Sequence, residues 1–332
     1  MLGIALLGSG RMADVYGPKI NAHPKLKLEA IFNPNFISAQ KAASSYGGSA
    51  SANLDDVLAN KNVGAVVIAT PTNTHLQYIE AAAKVGLPIY CEKPLDESLE
   101  RVDQCLEVLD KHPVPFMLGF NRRFDPDITA LQEKVRSGSL GQLNFLMSTS
   151  REPSPPPLSY SKACGGYFVD ATIHDIDLVC WISGERPFEV FAAGSCMIDP
   201  DIGALGDSDT TMTILKMPSG CLVHINNCRR CSYGFDQRLE VFGEGGMIQT
   251  SNQGDTNLVY SGINHTDAKD PLKHFFLERY DASFFNALDE FQSALNDGRP
   301  MYPSADDGKA ALAIALACAE SRDTGQSVKP CY

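Results

Sequence analysis

The chain has no apolar stretch of the roughly 18 residues that a membrane-spanning helix needs, which excludes a helical membrane protein. It has no cluster of positive charge either. The formal net charge is −12, and Arg122-Arg123 is too short a basic run to grip a phosphate backbone. Nucleic acid and anionic membrane surfaces are therefore excluded as partners. The ten cysteines lack framework spacing, so reduced thiols and a cytoplasmic location are expected. Their one close pair, Cys228 and Cys231, has no second pair to make a zinc site. It also lies in an apparent strand rather than at the helix N-terminus that suits a redox pair. No internal repeat is visible. The N-terminal apolar run has no basic leader, so no export signal is expected. What remains is a chain of 332 residues, long enough for two domains that each bury a core.

What is present begins with Gly3-Ile4-Ala5-Leu6-Leu7, an apolar run that reads as a buried parallel strand. It ends in Gly8-Ser9-Gly10-Arg11-Met12-Ala13, a glycine turn entering a helix. Glycines there permit a tight turn and close backbone approach to a pyrophosphate resting on the positive end of the helix. A second strand, Lys27 to Phe32, ends about 20 residues after Ala13, as a dinucleotide fingerprint requires. Gly8, Gly10, Arg11, Met12 and Ala13 are accordingly the first cofactor-binding candidates. The position that would carry a ribose-binding carboxylate is Asn33, with no Arg or Lys beside it to hold a 2′-phosphate. Asn33 can still hydrogen-bond a ribose hydroxyl, which leaves NAD and NADP both open, leaning to NAD.

Up to about residue 120 strands and helices alternate. Ala65 to Thr70 and Pro88 to Cys91 read as strands, Val114 to Phe120 as another, and Leu76 to Val85 has helical spacing closed by Gly86. This pattern predicts a doubly wound parallel sheet over residues 1–121. Ligands bind beyond the carboxyl ends of such strands, where Thr70, Asn73 and His75 fall after one strand and Glu92 and Lys93 after the next. Over residues 122–332 the pattern changes. Gln142 to Ser150, Phe188 to Met197, Thr210 to Lys216, Leu222 to Asn227 and Arg238 to Val241 predict an open, largely antiparallel sheet in an α+β domain. Glu152 to Leu158 and Ser251 to Lys269 read as loops, and Ala282 to Leu295 and Ala305 to Ser321 as helices.

Asp170 and His174 stand four apart on a predicted helix, so both side chains face one way and the carboxylate can orient the imidazole or share its proton. Oxidising a secondary alcohol needs a base for the hydroxyl proton, worth typically about 10²–10⁴ in rate, and a histidine suits it. Lys93, in Glu92-Lys93-Pro94 at a strand end, offers positive charge where an alkoxide-like charge develops. Without a substrate the Asp170–His174 pair reads as an exposed ion pair or as two metal ligands. A metal would need a third ligand, and Asp175 and Asp177 point to other faces, so no metal is expected.

Together with Gly119-Phe120-Asn121-Arg122-Arg123-Phe124-Asp125, Gly165 to Asp177 and Asp306-Asp307-Gly308-Lys309-Ala310, these motifs resemble the glucose-fructose oxidoreductase and inositol dehydrogenase (Gfo/Idh/MocA) family. The resemblance covers nearly the whole chain and is strongest to the inositol 2-dehydrogenase branch. It implies a Rossmann domain followed by an α+β domain that carries substrate and oligomer contacts, with homodimers or homotetramers formed through the open sheet. It implies NAD(P)-dependent oxidation of a ring hydroxyl in a cyclic polyol or sugar, with His174 as base and Asp170 and Lys93 holding the hydroxyl. Arg122 would lie near a substrate hydroxyl and Tyr233 on the substrate side of the sheet. Ser283 stands where inositol dehydrogenases tend to carry tyrosine; being smaller it is expected to leave space, which keeps sugar or diol substrates with NADP(H) open. A dinucleotide-binding regulator without activity is the reading from another class; it would be expected to lose Lys93 or His174.

Overall fold

The computed structural model describes all 332 residues. They pack as two compact units: Met1–Phe124 with Ser283–Lys309, and Asp125–Ala282 with Ala310–Tyr332. A single cut after residue 121 does not describe this division, because Ser283–Lys309 returns to the first unit. There the Leu118 N–H donates to the Pro303 carbonyl at 2.8 Å, and Arg123 pairs with Asp307 at 3.5 Å.

The first unit holds strands β1 (Leu2–Leu7), β2 (Leu26–Phe32), β3 (Ser49–Ser51), β4 (Ala65–Ile68), β5 (Ile89–Cys91) and β6 (Phe116–Leu118). All pair in parallel, in the order β3-β2-β1-β4-β5-β6. This is the doubly wound order in which the switch between β1 and β4 opens a crevice at the carboxyl ends. Ile4 to Leu7 and all of β4 are fully buried, as strands covered on both faces must be.

The second unit is built on β7 (Leu143–Arg151), β8 (Glu189–Ser195), β9 (Thr210–Lys216), β10 (Leu222–Cys228), β11 (Asp236–Gly243) and β12 (Gly246–Gln249), ordered β12-β11-β7-β10-β9-β8. Only β7 and β10 run parallel; the other pairs are antiparallel. The polar stretch expected to be a loop contains a hairpin of β13 (Val259–Gly262) and β14 (His265–Lys269). Nearly every residue of that hairpin is exposed, so neither face carries the apolar alternation that marks a strand. The segment after Glu152 stays irregular through Pro157 and then forms a short helix, Leu158–Ser161. No helix is long and apolar enough to cross a membrane, and all ten cysteines are free.

Candidate active site

In the first unit three predicted motifs meet at the carboxyl ends of the neighbouring strands β1, β4 and β5. The Gly8 N–H donates to the Phe32 carbonyl at 2.8 Å, and Gly8 holds φ +112°. A Cβ there would stand 2.4 Å from the Ala69 carbonyl oxygen, so only glycine lets β1 turn this close to β4. Gly10 begins the helix Arg11–Ala22 with no side-chain cap, and a Cβ on it would meet nothing within 4 Å. Uncapped N–H groups beside open space fit a pyrophosphate. Arg11 is exposed, Met12 half-buried, and Ala13 fully buried.

Asn33 follows β2 as predicted. Its amide donates to the Ser9 hydroxyl at 2.7 Å and its carbonyl accepts the Asn35 N–H at 2.8 Å, which fastens the glycine turn to the end of β2. After β4, the Thr74 hydroxyl donates to Thr70 at 2.8 Å, and the exposed Asn73 offers its carbonyl to Arg101 at 3.0 Å. His75 is 1 % exposed, and its ring nitrogens lie 3.0 and 3.1 Å from the carbonyls of Pro94 and Thr70. These contacts set His75 between the turn after β4 and the turn after β5. Burial holds its pKa below the ordinary histidine value.

Glu92 and Lys93 follow β5, with Glu92 buried and Lys93 half-buried. Burial pushes the Glu92 carboxyl up to about 6, against the opposing pull of Tyr16, Lys93 and Arg11. Arg122 is buried in the short 3₁₀ turn Asn121–Phe124. Ser283 is fully buried and accepts the Asn121 amide at 2.9 Å.

In the second unit Asp170 and His174 do not share one α-helix. Asp170 lies in a π-helical turn, Phe168–Thr172, that runs into the α-helix Ile173–Ser183, where the half-buried His174 occupies the first turn. The turn is anchored to the sheet: Thr172 donates to Asn227 at 2.8 Å, and Asp175 accepts Asn227 at 2.9 Å and Ser148 at 2.6 Å. Both Asp170 oxygens receive donors from elsewhere, Oδ1 from Tyr160 at 2.8 Å and Oδ2 from Arg229 at 3.0 Å. Arg229 is 1 % exposed, pairs also with Glu152 at 3.0 Å, and lies over the Tyr167 ring at 4.3 Å. Sequence reasoning missed Arg229 and Tyr160. The available signal was a charged residue directly after β10, inside a segment read only for its thiols. Tyr233 is half-exposed between β10 and β11; its hydroxyl donates to Asp236 at 2.7 Å and accepts Arg151 at 3.0 Å. Burial and the bond to Asp236 push its pKa up to about 12.

Residues 2–120 match the model of an oxidoreductase family described as an NAD-binding Rossmann fold, and residues 128–249 match a GFO/IDH/MocA C-terminal domain. The chain is 39 % identical to an inositol 2-dehydrogenase of Rhizobium meliloti over 95 % of both chains. Among solved structures it resembles a myo-inositol dehydrogenase from Corynebacterium glutamicum, with TM-score 0.95, 39 % identity and coverage of 100 % of this chain and 99 % of that one. It also resembles a scyllo-inositol dehydrogenase from Lactobacillus casei solved with bound NAD(H) and scyllo-inositol, with TM-score 0.91, 25 % identity and 99 % of each chain covered.

Proposed function

Because the chain belongs to the Gfo/Idh/MocA oxidoreductase family, its first unit being the family's NAD-binding Rossmann fold, we propose that it oxidises a ring secondary hydroxyl of a cyclic polyol such as myo-inositol to the ketone. The observation that carries this reading is the arrival of the glycine turn, Thr70 and Glu92-Lys93 at the ends of three adjacent strands. Such strand ends are where ligands of this fold bind. The nicotinamide, when bound, takes the two electrons and the hydrogen from carbon. His174 accepts the hydroxyl proton. Lys93 supplies positive charge to the oxygen as negative charge develops on it, and Asp170 holds the hydroxyl. Glu92, Thr70, Asn73 and His75 shape the cofactor's seat together with Gly8 to Ala13, and Arg122 and Tyr233 serve the remaining hydroxyls.

NAD is the cofactor, and the same seat leaves NADP open. Asn33 favours this, because an amide tied to Ser9 carries no charge to repel a 2′-phosphate.

The exposed side of the second sheet joins copies of the chain into a homodimer or homotetramer. Ile214 pairs with Phe191 on β8 and with His224 on β10, while Phe145 pairs with Phe242 on β11 and Leu222 on β10. Phe191, Ile214, Leu222 and Phe242 are all exposed on this side, an apolar expanse of the kind that marks an interface. The free thiols fit a cytoplasmic enzyme.

The test is the appearance of reduced nicotinamide when the protein meets NAD⁺ or NADP⁺ with inositols, aldoses and diols, with Lys93→Ala as control. Turnover on an inositol that falls at least about 10²-fold in the control is expected. Turnover on aldoses or diols alone would move the substrate assignment.

A further inference from the structure

Six positions after Gly10, on the helix that the glycine turn opens, stands Tyr16, fully buried. Its hydroxyl donates to the Glu92 carboxylate and lies 3.2 Å from the hydroxyl of Tyr90, also fully buried. A phenol has one proton, and Glu92 takes it, so the second bond runs from Tyr90 to Tyr16. The ring is wedged edge-on against Tyr90 at 5.5 Å and Phe284 at 5.9 Å. The groups that face Glu92 are Tyr16 and Arg11 from the helix, Tyr90 and Cys91 from β5, and Lys93 beside it. Across from it, a Cβ on Gly119 would stand 3.3 Å from Oε1, so the wall on that side is backbone.

We propose that Tyr16 is a positioning residue for the reaction: its hydroxyl holds the Glu92 carboxylate as the counter-charge of Lys93, so that one buried contact sets the cofactor helix and the lysine together. The proposal rests on the role assigned to Lys93 above. A tyrosine carries nothing the glycine turn needs for its own fold at this position, and phenylalanine would fill the same core volume. What the hydroxyl adds is a donor to a carboxylate that has lost its water. Burial drives that carboxyl toward its neutral form and Tyr16 opposes it, as do Lys93 and Arg11. Without the phenolic proton Glu92 takes up a proton at neutral pH, and Lys93 loses the charge that balances it.

The experiment is Tyr16→Phe, followed by kcat against pH for the purified enzyme with NAD⁺ and its best polyol, together with ¹³C-glutamate NMR. The Glu92 carboxyl signal is assigned by its absence in Glu92→Gln. In Tyr16→Phe the Glu92 titration midpoint rises by roughly one to two pH units, since a hydrogen bond to a charged group is worth about that much. The kcat falls about tenfold at neutral pH, recovers in alkaline buffer, and KM for the polyol stays within about twofold. A profile that superimposes on the parent's, or a loss equal at every pH, overturns the proposal. Should Tyr16→Phe fail to fold, Glu92→Gln decides it: the neutral amide gives low kcat that no longer rises with Glu92 ionisation, and parental kcat at neutral pH overturns the proposal. Full turnover by Lys93→Ala would sink the role of the lysine itself, a failure distinct from a null result at Tyr16.

Discussion

Arg229 donates to Asp170 at 3.0 Å across 59 positions of chain, and the same guanidinium holds Glu152 from the end of β7. One fully buried cation thus serves two carboxylates and has an aromatic face beneath it, an arrangement that fixes where the Asp170 oxygens sit before any substrate arrives.

Removing that cation strands both carboxylates. Arg229→Met is expected to lower stability by about 3–5 kcal/mol in chemical denaturation and to depress kcat. Arg229→Lys keeps the charge but not the fork, and falls between. Glu152→Gln added to Arg229→Met restores part of the lost stability, because one uncompensated charge disappears. A double-mutant cycle that gave simple additivity would contradict this account.

If Asn33 faces the adenosine ribose as proposed, the charge at its position should bear on the choice of cofactor. Asn33→Asp puts a charge where a 2′-phosphate would lie, and KM for NADP⁺ should rise at least about tenfold, the equivalent of about 1.4 kcal/mol, while KM for NAD⁺ holds or falls. Equal changes for both cofactors would argue against a ribose-side position for this residue.

Glu92 places a cost on stability that depends on pH. Its folded pKa of about 6 lies above its ordinary value of 4.5, so the folded chain binds the proton more tightly than the unfolded chain. The stabilising contribution is complete below the ordinary value and is lost as pH rises through about 6; the difference is about 2 kcal/mol. Glu92→Gln, which cannot ionise, should therefore exceed the parent in stability by about that much above neutral pH, with the gap closing toward pH 4.5. Denaturant titrations of both proteins across this range read the effect directly.

The apolar side of the second sheet gives a prediction free of chemistry. Met212→Lys with Ile214→Lys, both exposed on β9, should reduce the assembled species to monomers in sedimentation while leaving the fold intact. An unchanged sedimentation coefficient would move the interface elsewhere.

Local chemistry made much of this molecule legible. The apolar run of β1, the β-branched run of β4, the glycine turn between strand and helix, and the period-two alternation of β9 and β10 are each dictated by residues a few positions apart. The hairpin of β13 and β14 was illegible because its strands are exposed on both faces. The π turn at Asp170 was illegible for another reason: widening a helix by one residue leaves the apolar spacing of its neighbours nearly intact. Arg229 reaches Asp170 from 59 positions away and Tyr16 reaches Glu92 from 76, and no spacing rule reaches that far.

The return of Ser283–Lys309 to the first unit has a consequence for how the chain is made. β6 receives its Pro303 contact, and Arg123 its Asp307 partner, only after nearly the whole polypeptide has left the ribosome. The glycine turn and its strands emerge early, yet their unit waits, incomplete, while the entire second sheet is synthesised. A nascent chain stalled before residue 283 would expose the face that the returning helix covers with Phe284 and Phe291 against Tyr16 and Tyr90, which makes this stretch of translation the interval in which a chaperone has most to hold.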